Sequence, residues 1–112
     1  MTDLPVQTVE VRELNMAYLE AGAGQTLIFI HGNYSSRRWF LNQLHDPPEG
    51  WRVIAVDMPN FGLSDPLPGD ISIEAYADYV LAFADTLGIS EFAVLGHSLG
   101  GSVAQHLAVN HP

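Results

Sequence analysis

The chain has 112 residues, 13 acidic side chains against 4 basic ones, a formal charge of −9 and a 47% share of apolar residues that includes two Trp, four Tyr and five Phe. That is enough apolar material for one folded domain, and a surface this acidic repels phosphate backbones and anionic headgroups, which excludes nucleic acid as a partner class. The absence of cysteine removes disulfides, thiolate metal sites and Cys nucleophiles together. The amino terminus, "MTDLPVQTVEV", has neither a basic start nor a signal-peptide core, and no apolar run approaches the ~20 residues of a membrane helix. The expectation is a soluble, cytoplasmic protein with no membrane partner.

In chain order, "TVEVRELNMAYLEAGAG" alternates through Val9, Val11 and Leu14, resumes at Met16, Tyr18 and Leu19 after Asn15, and exits through Gly22 and Gly24. It predicts two strands paired as a hairpin. "TLIFIHGN" then runs continuously apolar into a glycine, and "RVIAVDMP" at 52–59 and "EFAVLGHS" at 91–98 repeat the design. Strands without a polar face suit a parallel sheet covered on both sides.

Helices are expected between those strands. "SSRRWFLNQL" offers Ser35 or Ser36 as a cap, with Trp39, Phe40 and Leu44 on one face. "SIEAYADYVLAFADTLG" is capped by Ser72, buries Ile73, Tyr76, Ala77, Val80, Ala84 and Leu87, and ends at Gly88. "LGGSVAQHLAVN" should bury Val103, Ala104, Leu107 and Ala108 and stop at Pro112. With loops at "HDPPEG" and "DPLPGD", the order is β-β-β-α-β-α-β-α, which predicts an α/β fold: a mostly parallel sheet, flanking helices and an amino-terminal antiparallel hairpin.

Two constellations carry chemistry. Gly96-His97-Ser98-Leu99-Gly100 is G-x-S-x-G between an apolar strand and an amphipathic helix. A strand that turns sharply into a helix crowds the positions two before and two after the turning residue, so only glycine fits there. Ser98 would then present its hydroxyl at the positive end of the following helix, where an anionic intermediate is favoured. By itself the pattern occurs by chance in about one chain of this length in twenty-five, so its placement matters more than its match. The second constellation, His31-Gly32-Asn33, follows a buried strand. An acyl-transfer site needs a second backbone N–H there, and the two oxyanion donors are assigned to Asn33 and Leu99. Gly32 permits close approach, and His31 is read as a hydrogen-bonder within the turn rather than a general base.

With "HGN" after the third strand, "DMPNFGLSD" after the fourth and "GHSLGG" after the fifth, the sequence resembles the α/β-hydrolase family along nearly its whole length. In the middle motif Asp57, Pro59, Gly62 and Ser64 fit the family pattern. Asn60 replaces a glycine, and asparagine is among the few other residues that enter left-handed conformations. Asp57 is read as organising the loop rather than as a catalytic acid. The resemblance implies the strand order 1-2-4-3-5 and a serine-nucleophile branch, since the dehalogenases and epoxide hydrolases of the family use aspartate where this chain has Ser98. The implied reaction is acyl transfer to water from an ester, lactone or related small-molecule carbonyl, with no cofactor. No metal is implied either, because the histidines and acids lack ligand spacing such as H-E-x-x-H.

In this fold the acid and the histidine follow the serine in the chain, and residues 1–112 are expected to form the amino-terminal half of a single hydrolase domain. None of the histidines near Ser98 suits the missing base. His97 should point to the other face, His106 and His111 lie along the following helix, and His45 is expected at the opposite end of the sheet. The 112 residues alone should therefore be a very poor enzyme. The fifth strand should form an open apolar edge, which predicts pairing with the remaining half of the domain or self-association. Tyr34, Trp39 and Phe61 are candidates both for lining a pocket and for ordinary packing. Two other readings remain open at this point: a non-catalytic α/β half-domain for assembly or ligand binding, and a small autonomous doubly wound domain with a ligand near Ser98.

Overall fold

The computed structural model describes residues 5–32, 44–67, 69 and 72–111. Five strands form one sheet: β1 (Gln7–Val11), β2 (Leu14–Gly22), β3 (Gln25–Ile30), β4 (Trp51–Val56) and β5 (Ala93–Gly96), in the order β1-β2-β4-β3-β5. The β1–β2 and β2–β4 pairs are antiparallel, whereas β3 lies parallel to both β4 and β5. Two helices are described, α1 (Ile73–Thr86) and α2 (Leu99–Asn110). The helix expected over "SSRRWFLNQL" lies outside the described residues except for Leu44, which is buried.

The expected hairpin is present, and its turn falls just before Leu14. Val11 pairs with Leu14, so Arg12 and Glu13 form a two-residue turn, with φ of 48° and 72°. Positive φ at both central positions is the mirror-image turn whose twist matches a β-hairpin, and it is normally signalled by Asn-Gly. Neither residue gives that signal. The Arg12 guanidinium lies 5.7 Å from the centre of the Tyr79 ring on α1, a cation–π contact that ties the turn to the helix.

The apolar strands are buried on both faces, as their patterning requires. Ile28, Ile30, Ile54 and Val56 point to one side and pack with Met16, Tyr18, and the α1 and α2 residues Tyr76, Val80, Phe83, Val103 and Leu107. Phe29, Val53 and Ala55 point to the other side and pack with Leu19 and Leu44. Each large side chain so buried contributes about 1.5–3 kcal/mol. In α1 the buried stripe also includes Tyr79 and Phe83, while Ile73 and Leu87 are only half-buried.

Helix α1 begins where the Ser72 hydroxyl accepts the Ala75 N–H at 3.0 Å. It ends with Gly88 at φ 75°, the Gly88 N–H donating to Asp85 O and the Ile89 N–H to Ala84 O. These are the two reversed bonds of a glycine-terminated helix, and they satisfy carbonyls that the helix leaves open. The outer strand β5 is different: Ala93 and Leu95 are exposed, and Ala108 on α2, expected in the core, is exposed beside it.

Candidate active site

Register sets the site. Ile30 pairs with Val56 on one side and Gly96 on the other, so the next residues, His31, Asp57 and His97, leave the sheet abreast at its carboxyl edge. The three sequence motifs are neighbours for that reason alone. His97 extends the alignment by donating its N–H to Ile30 O at 3.0 Å.

At Ser98 the backbone takes φ 58° and ψ −116°, a conformation that costs a non-glycine residue of order 1–3 kcal/mol. Glycine sterics hold it there. A Cβ on Gly96 would come within 2.0 Å of Gly100 O, and one on Gly100 within 2.1 Å of Ile30 O. The first contact is the one the G-x-S-x-G spacing requires; the second shows that Gly100 also packs directly on β3. Gly101 needs no such exemption, because its Cβ would meet only ordinary contacts at 3.6 Å and beyond.

Ser98 is exposed, and although it occupies the N-cap position of α2 its side chain makes no capping hydrogen bond. Leu99 opens the helix, so its N–H is among the amides that have no acceptor within the helix, and there is no acidic residue in the first turn to neutralise the positive helix end. Gly32 lies against this corner: a Cβ there would be 3.1 Å from Ser98 Cβ and 3.2 Å from His97 Nδ1. The loop after β3 thus reaches the candidate nucleophile at its second residue. Asn33, Tyr34 and Trp39 lie outside the described residues.

His31 is buried, with Nδ1 2.8 Å from Gly32 O and Nε2 accepting the Met58 N–H at 3.0 Å. Burial pushes it below the ordinary histidine value, opposed by its bond to Gly32 and by the nearby Asp57 carboxylate. Its ring packs edge-on against Phe61 with centroids 5.0 Å apart, so Phe61 serves the loop base here.

The loop after β4 is held by its own polar side chains. Asp57 is buried, and its Oδ2 accepts the Leu63 N–H at 2.9 Å. Gly62, at φ 54°, passes so close that a Cβ would strike the Asp57 carboxylate. Asn60 takes φ 79°, and its Oδ1 accepts the Leu67 N–H at 2.7 Å. Ser64 donates to Asp57 O and accepts the Ala17 N–H, while Asp65 Oδ2 accepts the Asn15 N–H. The sequence marked Asp57 and Asn60 as structural; the stapling of Ser64 and Asp65 to β2 had no local signal, since the partners lie 47 and 50 residues away.

Among the described residues no cluster of three or more His, Asp or Glu could hold a metal, and no helix is long and apolar enough to cross a membrane. His106 lies along α2, where its ring is 6.4 Å from that of His111.

A family model described as the alpha/beta hydrolase fold matches residues 25–112. The chain belongs to the α/β-hydrolase fold family. Among its relatives it is 35% identical over 107 residues to the dihydrolipoyllysine-residue acetyltransferase component of the acetoin cleaving system of Cupriavidus necator, covering 95% of this chain and 29% of the relative. It is 34% identical over 106 residues to a haloalkane dehalogenase of Mesorhizobium japonicum, covering 93% of this chain and 34% of that protein. Among solved structures, a bacterial membrane phospholipase A superposes with a TM-score of 0.91 at 33% identity, over 97% of this chain and 36% of that one. The chain therefore spans about a third of the length of the family members it matches.

Proposed function

We propose that residues 1–112 are the nucleophile-bearing part of a serine hydrolase, cytoplasmic and acting on a small-molecule ester, lactone or related carbonyl. The observation that carries this is the backbone of Ser98, held at φ 58° and ψ −116° between two glycines that tolerate no Cβ, with a hydroxyl that does not cap its helix. A protein does not maintain such strain for capping. Ser98 Oγ attacks the carbonyl carbon and its proton passes to a histidine base. The resulting oxyanion accepts hydrogen bonds from the Leu99 and Asn33 N–H groups. Collapse expels the alcohol, which takes the proton back, and water then cleaves the acyl-serine by the same route.

The base and the acid that orients it come from sequence outside residues 1–112, in keeping with the third of the relatives' length that the chain spans. The partner of these residues is accordingly the rest of a hydrolase domain, in the same or another polypeptide, with self-association through β5 as the competing fate of the isolated segment. A serine rather than a carboxylate at the elbow disfavours direct displacement of halide or epoxide oxygen, and ester cleavage is the chemistry in the name of the phospholipase neighbour.

A fluorophosphonate probe tests the reading on the protein containing this segment together with its remaining two thirds. Covalent labelling at Ser98 that disappears in Ser98→Ala is the expected result. Failure to label with that remainder present would sink the enzyme reading and favour a binding or assembly module.

A further inference from the structure

The carboxyl end of α2 brings two histidines together. Residues 106 and 111 would stand about 140° apart around the axis if the helix continued through both. His111 instead leaves the helix, with φ −140° and ψ 57°, while its N–H stays bonded to Leu107 O at 2.8 Å. Its exposed ring returns to 6.4 Å from the half-buried ring of His106, centre to centre, with the two planes inclined at 51°. Asn110 engages His106 from one side only: its Nδ2 donates to His106 O at 3.1 Å and lies 3.4 Å from His106 Nδ1. Nε2 is the nitrogen left to a ligand.

A metal bound by two imidazole nitrogens at about 2.0–2.1 Å stands about 3.2 Å from each ring centre, so the rings lie about 5 Å apart at a tetrahedral angle. The 6.4 Å found here is wider by about 1 Å, which a side-chain rotation at exposed His111 closes. The local field favours a cation, because the last turn of α2 has no lysine or arginine to meet its negative end and the chain carries a formal charge of −9. We propose that His106 and His111 chelate a divalent transition metal, Zn²⁺, Ni²⁺ or Cu²⁺, with water completing the coordination. Imidazole selects these ions over Mg²⁺ and Ca²⁺, which take oxygen ligands. When the metal takes Nε2 of His106, the ring proton sits on Nδ1, and the Asn110 amide, turned to present Oδ1, accepts it as the outer partner of a metal-bound histidine. Ser98 caps the opposite end of the same helix, so the chelate is separate from the serine corner and does not depend on the hydrolase reading.

The test is calorimetric titration of the protein containing this segment and its remaining two thirds with Zn²⁺, Ni²⁺ and Cu²⁺, in wild type, His106→Gln and His111→Gln. One equivalent of metal that wild type binds should be bound at least about tenfold more weakly in each variant, since even an outer partner of a metal ligand is worth about 10–100-fold. Cu²⁺ should bind tightest of the three, and Mg²⁺ and Ca²⁺ should give no heat that either substitution changes. Wild-type affinity in either variant would overturn the chelate, because each imidazole is then dispensable. Nitrogen NMR of the wild-type protein keeps the question open to refutation even if a variant fails to fold: Zn²⁺ should shift the ring signals of both histidines, with the His106 proton on Nδ1. Ring signals unmoved by one equivalent of Zn²⁺ would overturn the proposal, while the fluorophosphonate result at Ser98 would stand unaffected.

Discussion

The two best-defined corners of the candidate site are built in opposite ways. The elbow at Ser98 is held by close approach of backbone to backbone, Gly96 against Gly100 and Gly100 against Ile30. The loop after β4 is held by side chains reaching backbone, through Asp57, Asn60, Ser64 and Asp65. The elbow therefore fails when atoms are added, and the loop fails when polar atoms are removed. The distinction fits the chemistry: a nucleophile must stand clear of hydrogen-bonding neighbours until its base arrives, whereas a supporting loop only needs to stay in place.

The largest effect should come from adding atoms at the elbow. Gly96→Val puts branched carbon where even a Cβ would sit 2.0 Å from Gly100 O, and we expect more than about 3 kcal/mol lost in urea unfolding together with all labelling of Ser98. Stability near wild type would show that the corner can relax. Next comes removal of the loop's central acceptor. Asp57→Ala removes the buried carboxylate that accepts the Leu63 N–H, an expected loss of about 1.5–3 kcal/mol with the elbow intact. Ser64→Ala cuts one hydrogen bond from this loop to Ala17 on β2 and one within the loop to Asp57 O, and should cost about 1–2 kcal/mol by the same measurement.

Acid should act on the same side of the comparison. The folded chain holds His31 below its ordinary value of 6.5, chiefly by burial, so between the two values the unfolded chain binds more protons. The stability from keeping this ring neutral is complete above about pH 6.5 and is lost as the pH falls through the folded value, with Asp57 and the Gly32 carbonyl partly opposing the loss. Unfolding followed against pH should show this dependence in wild type and lack it in His31→Gln. The smallest effect has the opposite sign. Ser98→Gly relieves the strained φ and should stabilise by about 1 kcal/mol, whereas Ser98→Ala, which keeps the Cβ, should not. If both variants were equally neutral, the elbow would hold no strain.

Much of this was legible in the sequence because it depends on local sterics. The glycines flanking Ser98, the left-handed asparagine at position 60 and the Ser72 and Gly88 helix ends are each explained by one or two covalent neighbours, and the structure puts them where the patterning expects. The hairpin turn was not legible, since Arg12 and Glu13 have no intrinsic preference for positive φ and are held there by strand pairing and Tyr79. Ala108 was misplaced for a related reason. Helical periodicity puts it on the stripe with Val103 and Leu107, but the stripe overhangs the outer edge of β5, where among the described residues it stays exposed.

The sequence by itself determined that apolar strands alternate with amphipathic helices and that one serine stands at a corner only glycine can flank, because these follow from side-chain size and periodicity over a few residues. The tertiary structure places β3 between β4 and β5, the order the family resemblance implied, and it alone decided the meeting of His31 with Met58, of Gly32 with Ser98 and of Ser64 with Ala17. Those contacts join residues tens of positions apart, and no local preference encodes them. The first two exist because parallel pairing in a single register brings three strand ends to the same level, and the third because β2 pairs antiparallel with β4.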